Sequence, residues 1–530
     1  MAVADFQIAS SKGAPLERNK KLSESLIWKL QRGFYQKHGS DAWSKQGIPC
    51  QITSNPHIAR AYAEVMAAFL RDLQRAGSIA PGQAVHILEL GAGHGRFGFL
   101  AIRSLLEIAA AGDLAFRYVL TDFSERNIGR IRNHPKLLPF FASGHADVAL
   151  LDLERIGEIR LQMSGTTLAA GHGQPLIVVA NYVFDSVPQD AFYVQDGVLH
   201  ESLISIASPQ REPELDDPEI LSRSEIAFTQ NLARADYYAD PQWNALLEQT
   251  RRRLPSAPFL FPVTALQAIG ALEEIAGCGL LLLSADKGLN RDEAILQGQG
   301  APGLTRHASG CFSMMVDYQT IGERFRLRGG TALHPGHSHE SINVSAFLSR
   351  GGAEDFLATR RAYEEHIERF GPDDCFSLIQ GCAGAAAQMS HHQLLSLLRL
   401  SGWDPYLAGG LVSVWKSRLS ELGEKERREI YQGIKKAWEC HFSIGEADDL
   451  AFHFGVLTLE FGYYAEAVEL LRESAEVYGM EPGTAYNLAV CYLQLRDWGQ
   501  ARLYVEQCLE LSPDFDAARA LRIRIESVGR

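Results

Sequence analysis

Apolar and polar positions change rhythm twice along the 530-residue chain. Between residues 20 and 75 the apolar side chains recur at helical spacing. Ile58, Tyr62, Val65, Phe69 and Leu73 share one face, and Ser54 or Asn55 ahead of Pro56 supplies a helix start. The stretch around Leu26, Trp28, Leu30, Phe34 and Tyr35 is amphipathic in the same way, which predicts a helical N-terminal cap over residues 1–80. Gly77 and Pro81-Gly82 then break the pattern. From Ala84 the apolar runs become short and continuous, each followed by glycine or a carboxylate and then by helix-like spacing. These runs predict strands at 86–90, 118–121, 148–151, 176–180 and 280–284. Continuous rather than alternating runs suit a parallel sheet covered on both faces. Residues 205–258 are polar and rich in acids, with helical patches, and read as a helical insertion over the sheet's working edge, the sheet resuming near Phe259. Residues 81–345 are therefore expected to form an α/β domain with a doubly wound sheet.

After about residue 345 every signal is helical. Phe454-Gly455 and Leu488-Ala489, Tyr464 and Trp498, and Ala467 and Ala501 are each 34 residues apart, and Pro513 closes the second copy. That period, with small residues where two helices cross and an aromatic where the second begins, is the tetratricopeptide pattern. Two repeats cannot easily stand alone, so helices from the linker region 346–445 are expected to stack beneath residues 446–530 as an irregular third unit. A plain helical bundle with chance periodicity is the alternative.

Composition narrows the partners. With 46% hydrophobic and 22% charged residues the chain is neither disordered nor collagen-like. Asp and Glu outnumber Lys and Arg by 64 to 51, a net charge of −13 that repels phosphate backbones and anionic lipid, so neither nucleic acid nor membrane is expected as a partner. No apolar stretch approaches the roughly 20 residues of a membrane span. The N-terminus carries Asp5 and lacks a cationic cluster or an apolar core, so a cytoplasmic location is expected. Eight scattered cysteines form no CxxC and read as reduced core thiols. His334, His337 and His339 have no completing ligand set beyond Glu340 and read as a polar loop near the cleft, so no metal is expected.

The chemistry concentrates in Glu89-Leu90-Gly91-Ala92-Gly93-His94-Gly95-Arg96, between a strand and a helix. Glycines at alternate positions let the backbone turn sharply and approach a ligand closely. The following helix start is expected to present free N–H groups to an anionic or zwitterionic ligand. The same text contains Gly93-His94-Gly95-Arg96-Phe97-Gly98, a GxGxxG with Asp122 beyond it near dinucleotide spacing, so a nicotinamide or flavin site competes. Glu89 favours the other reading, because a dinucleotide site normally keeps an apolar residue there.

The run E-x-G-x-G-x-G resembles motif I of the class I S-adenosylmethionine-dependent methyltransferases. The polar residues beyond it are evenly spaced: Glu89 to Asp122 is 33 residues, Asp122 to Asp152 is 30, and Asp152 to Asn181 is 29. One strand and one crossover helix occupy about 30 residues, so these side chains should meet at the carboxyl ends of four strands. The resemblance implies S-adenosylmethionine as cofactor. Gly91, Gly93 and Gly95 would pass under its methionine part, Asp122 would accept from the ribose hydroxyls, and Asp152 from the adenine amino group. Helix capping by Asp122 and Asp152 is the plainer alternative.

Three further passages resemble the MidA family, which includes a mitochondrial complex I assembly arginine methyltransferase. They are Ile52-Thr53-Ser54-Asn55-Pro56-His57-Ile58, Ala180-Asn181-Tyr182-Val183-Phe184-Asp185-Ser186-Val187-Pro188, and Ser284-Ala285-Asp286-Lys287-Gly288 with Val316-Asp317-Tyr318. Tyr182 stands where that family has glutamate, and Asp286-Lys287 replaces an aspartate-tyrosine pair. The expected enzyme is thus a Rossmann-like methyltransferase acting on a side-chain nitrogen of a protein recruited by the C-terminal repeats. Asn181, Tyr182 and Asp185 form its catalytic frame. A cofactor-binding scaffold without turnover is the alternative, and an oxidoreductase the third.

Overall fold

The computed structural model describes residues 14–110, 114–299, 302, 304–307, 309–350 and 355–528, and the chain divides into two compact units, Met1–Phe376 and Ser377–Arg530. The N-terminal stretch read above for targeting features lies, up to residue 13, outside the described residues. No described helix is long and apolar enough to cross a membrane.

The first unit opens on a strand, so its cap is not wholly helical. In β1 (Ala14–Lys20) the side chains are mostly exposed, Glu17, Arg18 and Lys20 among them charged, and the backbone pairs antiparallel with residues 204–208. Two helices follow. Ser25 starts α1 (Leu26–His38), its side chain accepting from the Ile27 amide. Asn55 starts α2 (Pro56–Arg75), accepting from the Ile58 amide at 3.0 Å with Pro56 in the first position, where its missing N–H costs nothing. The predicted face of α2, from Ile58 to Leu73, is buried.

Next come β2 (Val85–Leu90), α3 (Arg96–Ala109), β3 (Phe116–Asp122), α4 (Glu125–Asn133), β4 (Ala146–Leu150) and β5 (Leu176–Asn181). After them the chain builds β6 (Asp190–Gln195), β7 (Val198–Ser208), β8 (Glu225–Leu232), α5 (Pro241–Arg253), β9 (Ala257–Phe261) and α6 (Val263–Ala276). It returns through β10 (Leu280–Asp286), α7 (Tyr318–Leu327), β11 (Thr331–Leu333) and β12 (Asn343–Leu348). The main sheet runs β11-β12-β10-β5-β2-β3-β4. The five strands from β10 to β4 are parallel, and β12 and β11 close one edge antiparallel. The α/β expectation holds for this core, and all five predicted strands are present.

The expected helical insertion is helical only in part. Residues 205–208, 225–232 and 257–258 belong to a second, antiparallel sheet in the order β1-β7-β6-β9, with β8 also on β7, while α5 is the main helix of the segment. In β8 the half-buried Ile226 and Phe228 alternate with exposed Glu225 and Thr229, and pack against a core containing Ile204 and Ile206. This is a two-residue period, which the surrounding acids obscure. Phe259 lies in β9 of this second sheet rather than resuming the first. Likewise β12 carries strand structure past residue 345.

Strand order in the main sheet reverses between β2 and β5, because β3 and β4 are added on one side and β10 on the other. Ligands of open α/β sheets bind at the carboxyl ends of the strands beside such a reversal. The register places Leu90 beside Ala180, so Gly91 and Asn181 emerge together.

The second unit includes α8 (His391–Leu400), α9 (Pro405–Ser417), α10 (Glu424–Cys440), α11 (Leu450–Glu460), α12 (Tyr464–Tyr478), α13 (Pro482–Gln494), α14 (Trp498–Leu511) and α15 (Asp516–Val528). The first residues of α12 and α14, Tyr464 and Trp498, are the aromatic pair of the 34-residue period. Ala467, Ala489 and Ala501 are fully buried, and a Cβ on Gly455 would lie 2.9 Å from Leu471 Cγ, so these crossings need small residues.

Candidate functional site

All three loop glycines hold left-handed backbone, with φ of 61° at Gly91, 57° at Gly93 and 84° at Gly95, a region costly for side chains. What presses on them is protein. A Cβ on Gly93 would lie 2.8 Å from the ring of Trp43, and one on Gly91 would lie 3.1 Å from Val183 Cγ2. Gly95 faces Ile131 and Leu120 in the core and does not line the cavity. At Gly98 a Cβ would meet Glu89 Oε2 at 2.6 Å and Leu120 Cδ2 at 2.7 Å, so this glycine seats α3 on the sheet.

Of the amides expected to be free at the helix start, that of Arg96 is engaged, and the loop ahead of it spends its own amides internally. The Ala92 amide donates to Thr121 O at 2.7 Å, Gly95 to Ala92 O at 2.8 Å, Gly93 to Asp122 Oδ2 at 3.0 Å and Arg96 to His94 Nδ1 at 3.1 Å. A loop with these four donors engaged is a poor cradle for a pyrophosphate.

Asp122 is buried, and its two oxygens each accept one backbone amide, Gly93 and Ser124. Burial lifts its pKa to about 6. It is not the helix cap, since Ser124 starts α4. Glu89, near the end of β2, is 5% exposed and pushed to about 8 by burial, against the Tyr118 hydroxyl, which favours the ionised form, and with the charge of Asp122 acting in the same direction as burial. Its Oε2 has no hydrogen-bond partner. Asp152 does cap a short turn by accepting from the Glu154 amide, yet it also takes a fork from Arg32, at 3.1 and 2.8 Å. Burial opposes ionisation there, but the Arg32 guanidinium outweighs it and holds the carboxyl below its usual range. The same guanidinium sits 4.7 Å over the ring of Phe123. Sequence reasoning missed Arg32, which looks like a polar position on an amphipathic helix until α1 is folded over the strand ends.

Across the reversal, Asn181 Oδ1 accepts from the Tyr62 hydroxyl at 2.9 Å, which leaves its buried Nδ2 without a partner. Tyr182 has φ of 52°, a strained conformation for an aromatic residue, and its amide is tied to Ala285 O at 2.8 Å. Asp185 is 4% exposed and accepts from Ser186 Oγ at 2.8 Å. Beneath the turn lies Asp286, fully buried, accepting from the Asp185 and Lys287 amides at 3.1 and 2.9 Å. Burial raises the pKa of both acids, and each repels the ionised form of the other. The sequence offered Asp286 only as part of a resemblance; its role as the anchor of the Tyr182–Asp185 turn depends on β10 lying beside β5.

One cavity takes in Glu89, Gly91, Gly93, Asp122, Asp152, Asn181, Tyr182 and Asp185, so every candidate except Gly95 opens onto it. The space, its open mouth included, is about 1530 Å³. Residues of α1 and of the segment to Ser54 form one wall, with Trp28, Tyr35 and Trp43 as its aromatic lining. His334, His337 and His339 do not line it, although His339 Nε2 lies 3.0 Å from the carbonyl of Gly288, the residue after cavity-lining Lys287. Four of the eight cysteines are buried; Cys50 is half-buried and lines the cavity.

No protein-family profile and no curated protein matches this chain. Among solved structures it is similar to a presumptive methyl transferase from Burkholderia thailandensis bound to S-adenosyl-homocysteine, at 17% identity and a TM-score of 0.38, over 64% of this chain and 90% of the other. A second similar structure, an uncharacterised protein of the same superfamily and organism, has 14% identity and a TM-score of 0.35, over 62% and 95% of the two chains. Both likenesses are weak, and the site is interpreted below from its own geometry.

Proposed function

We propose that this chain is an S-adenosylmethionine-dependent methyltransferase whose acceptor is a side-chain nitrogen of a protein brought to it by the C-terminal helices, read as tetratricopeptide-type repeats. The observation that carries the proposal is that two residues lining the cavity on either side of the strand-order reversal each keep a buried polar atom without a hydrogen-bond partner: Glu89 Oε2, an acceptor, and Asn181 Nδ2, a donor. A cofactor end bearing both an ammonium and a carboxylate matches that pair. Asp122 lines the cavity where a diol would sit, with Asn127 bonded to it besides the Gly93 and Ser124 amides, and Asp152, whose partner Arg32 lies over the Phe123 ring, retains acceptor capacity for an amino group. The residues therefore fit S-adenosylmethionine.

When bound, that cofactor supplies a methyl group for in-line displacement from a sulfonium, a reaction that asks the protein mainly for alignment and exclusion of water. Here the aromatic wall of α1 excludes water, and the strained Tyr182–Asp185 turn, fixed from below by Asp286, sets the acceptor side. A nitrogen must arrive without its proton, and Asp185, its pKa raised by burial, is placed to accept one. The engaged loop amides count against the dinucleotide reading.

Mass spectrometry of proteins captured by residues 377–530, after incubation with the full chain and cofactor, is the test. Added methyl groups that disappear with Asp185→Asn support the proposal. A scaffold without turnover is the second reading, favoured by a phenol at Tyr182 instead of an acid. It requires cofactor binding with no S-adenosylhomocysteine formed in the presence of a captured partner.

A further inference from the structure

Lys287 follows β10 and lines the cavity on the acceptor side. Its backbone is fixed at both ends of the peptide unit: the amide donates to Asp286 Oδ1 at 2.9 Å, and the carbonyl accepts from the Val316 amide at 3.0 Å. The side chain is half-buried, and among the described residues its ammonium makes no hydrogen bond or ion pair. Holding an ammonium partly out of water without a partner is costly, and such charges are normally matched. Two groups on the same wall bear on it. Asp185 feels its charge yet forms no ion pair with it, being satisfied by Ser186 instead. His307, whose Nε2 lies 3.1 Å from Ser313 Oγ, is kept neutral by burial and by the same lysine charge. A simple counter-ion to Asp185 would close to contact, whereas this one stands off it beside two further polar cavity residues, His307 and Ser313.

We propose that Lys287 binds an oxyanion carried by the methyl acceptor, so that the accepted group lies next to a carboxylate or a phosphate. This rests on the methyltransferase reading of the cavity and adds a specificity-determining residue to it. The side-chain nitrogen would face Asp185 while its neighbouring anion is held by Lys287, which makes the substrate a locally zwitterionic one.

Inorganic phosphate and acetate are the probes, titrated into the full chain with and without S-adenosylhomocysteine, for wild type, Lys287→Gln and Lys287→Arg. One of the two ions is expected to bind saturably, about tenfold more weakly in the glutamine variant, or about 1.4 kcal/mol, and within about threefold of wild type in the arginine variant. Which ion binds names the oxyanion. Saturation by neither ion, or equal binding in Lys287→Gln, overturns the proposal. S-adenosylhomocysteine affinity is read in the same samples and should be the same in all three proteins. Its absence throughout counts against methyl transfer, while anion binding that ignores Lys287 counts against this assignment.

Discussion

Glu89 offers the sharpest physical test, because burial is the largest influence on its state. It is 5% exposed, one oxygen is unpartnered, and its pKa rises from 4.5 to about 8. The folded value exceeds the unfolded one, so the native chain holds an extra proton in between. The associated stability is fully present below about pH 4.5 and is lost as pH rises through about 8. At about 1.36 kcal/mol per unit, the loss between about pH 6 and 8 is on the order of 2–3 kcal/mol. Glu89→Gln keeps the shape and removes the ionisation, so it should flatten this slope and leave the variant more stable than wild type near pH 8. The two units need not unfold together, which makes a whole-chain transition a poor readout. Urea unfolding at each pH, followed by pulse hydrogen exchange at one fixed pH and read on peptides from β2 and β3, isolates the right region. Equal pH slopes in the two proteins would falsify the account of Glu89 as a buried, protonated acid.

Other expectations follow from the same geometry. Gly93→Ala places a methyl 2.8 Å from the Trp43 ring at a left-handed φ, so it should cost about 1–3 kcal/mol and shift Trp43 fluorescence, whereas Gly129→Ala, with nothing nearby, should do neither. Asp286→Ala strands the buried amides of Asp185 and Lys287. It should cost about 2–4 kcal/mol, checked by exchange of the β10 peptide, with Asp286→Asn recovering part of it. Arg32→Ala should change stability by less than about 1 kcal/mol, because its pair with Asp152 is a third exposed, but should raise the Asp152 pKa as followed by carbon NMR of the carboxyl.

Much of this was legible in the residues. Continuous apolar runs marked the five parallel strands, because a strand buried on both faces has few polar positions to interrupt the pattern. Even spacing of Glu89, Asp122, Asp152 and Asn181 placed them at one edge, because each βα unit has a nearly fixed length. The second sheet was not legible: in β8 the inward Ile226 and Phe228 are only half-buried and Ala227 between them is apolar, so the two-residue period is diluted. β1 was hidden for a similar reason, being an exposed charged strand held by backbone pairing rather than by an apolar face. Nor could spacing show that the loop's amides are consumed internally, since Asp122 reaches Gly93 only through the β2–β3 register. Arg32 and Lys287 depend on elements far apart in sequence lying over the same strand ends, which no local pattern encodes.

The central claim is most directly tested by isothermal titration of the full chain with S-adenosylmethionine and, separately, NAD, repeated on Asp122→Asn. The account predicts binding of S-adenosylmethionine alone, weakened by about 1.5–3 kcal/mol when a diol-facing carboxylate becomes an amide. Binding of NAD in its place, or S-adenosylmethionine binding indifferent to Asp122, contradicts it.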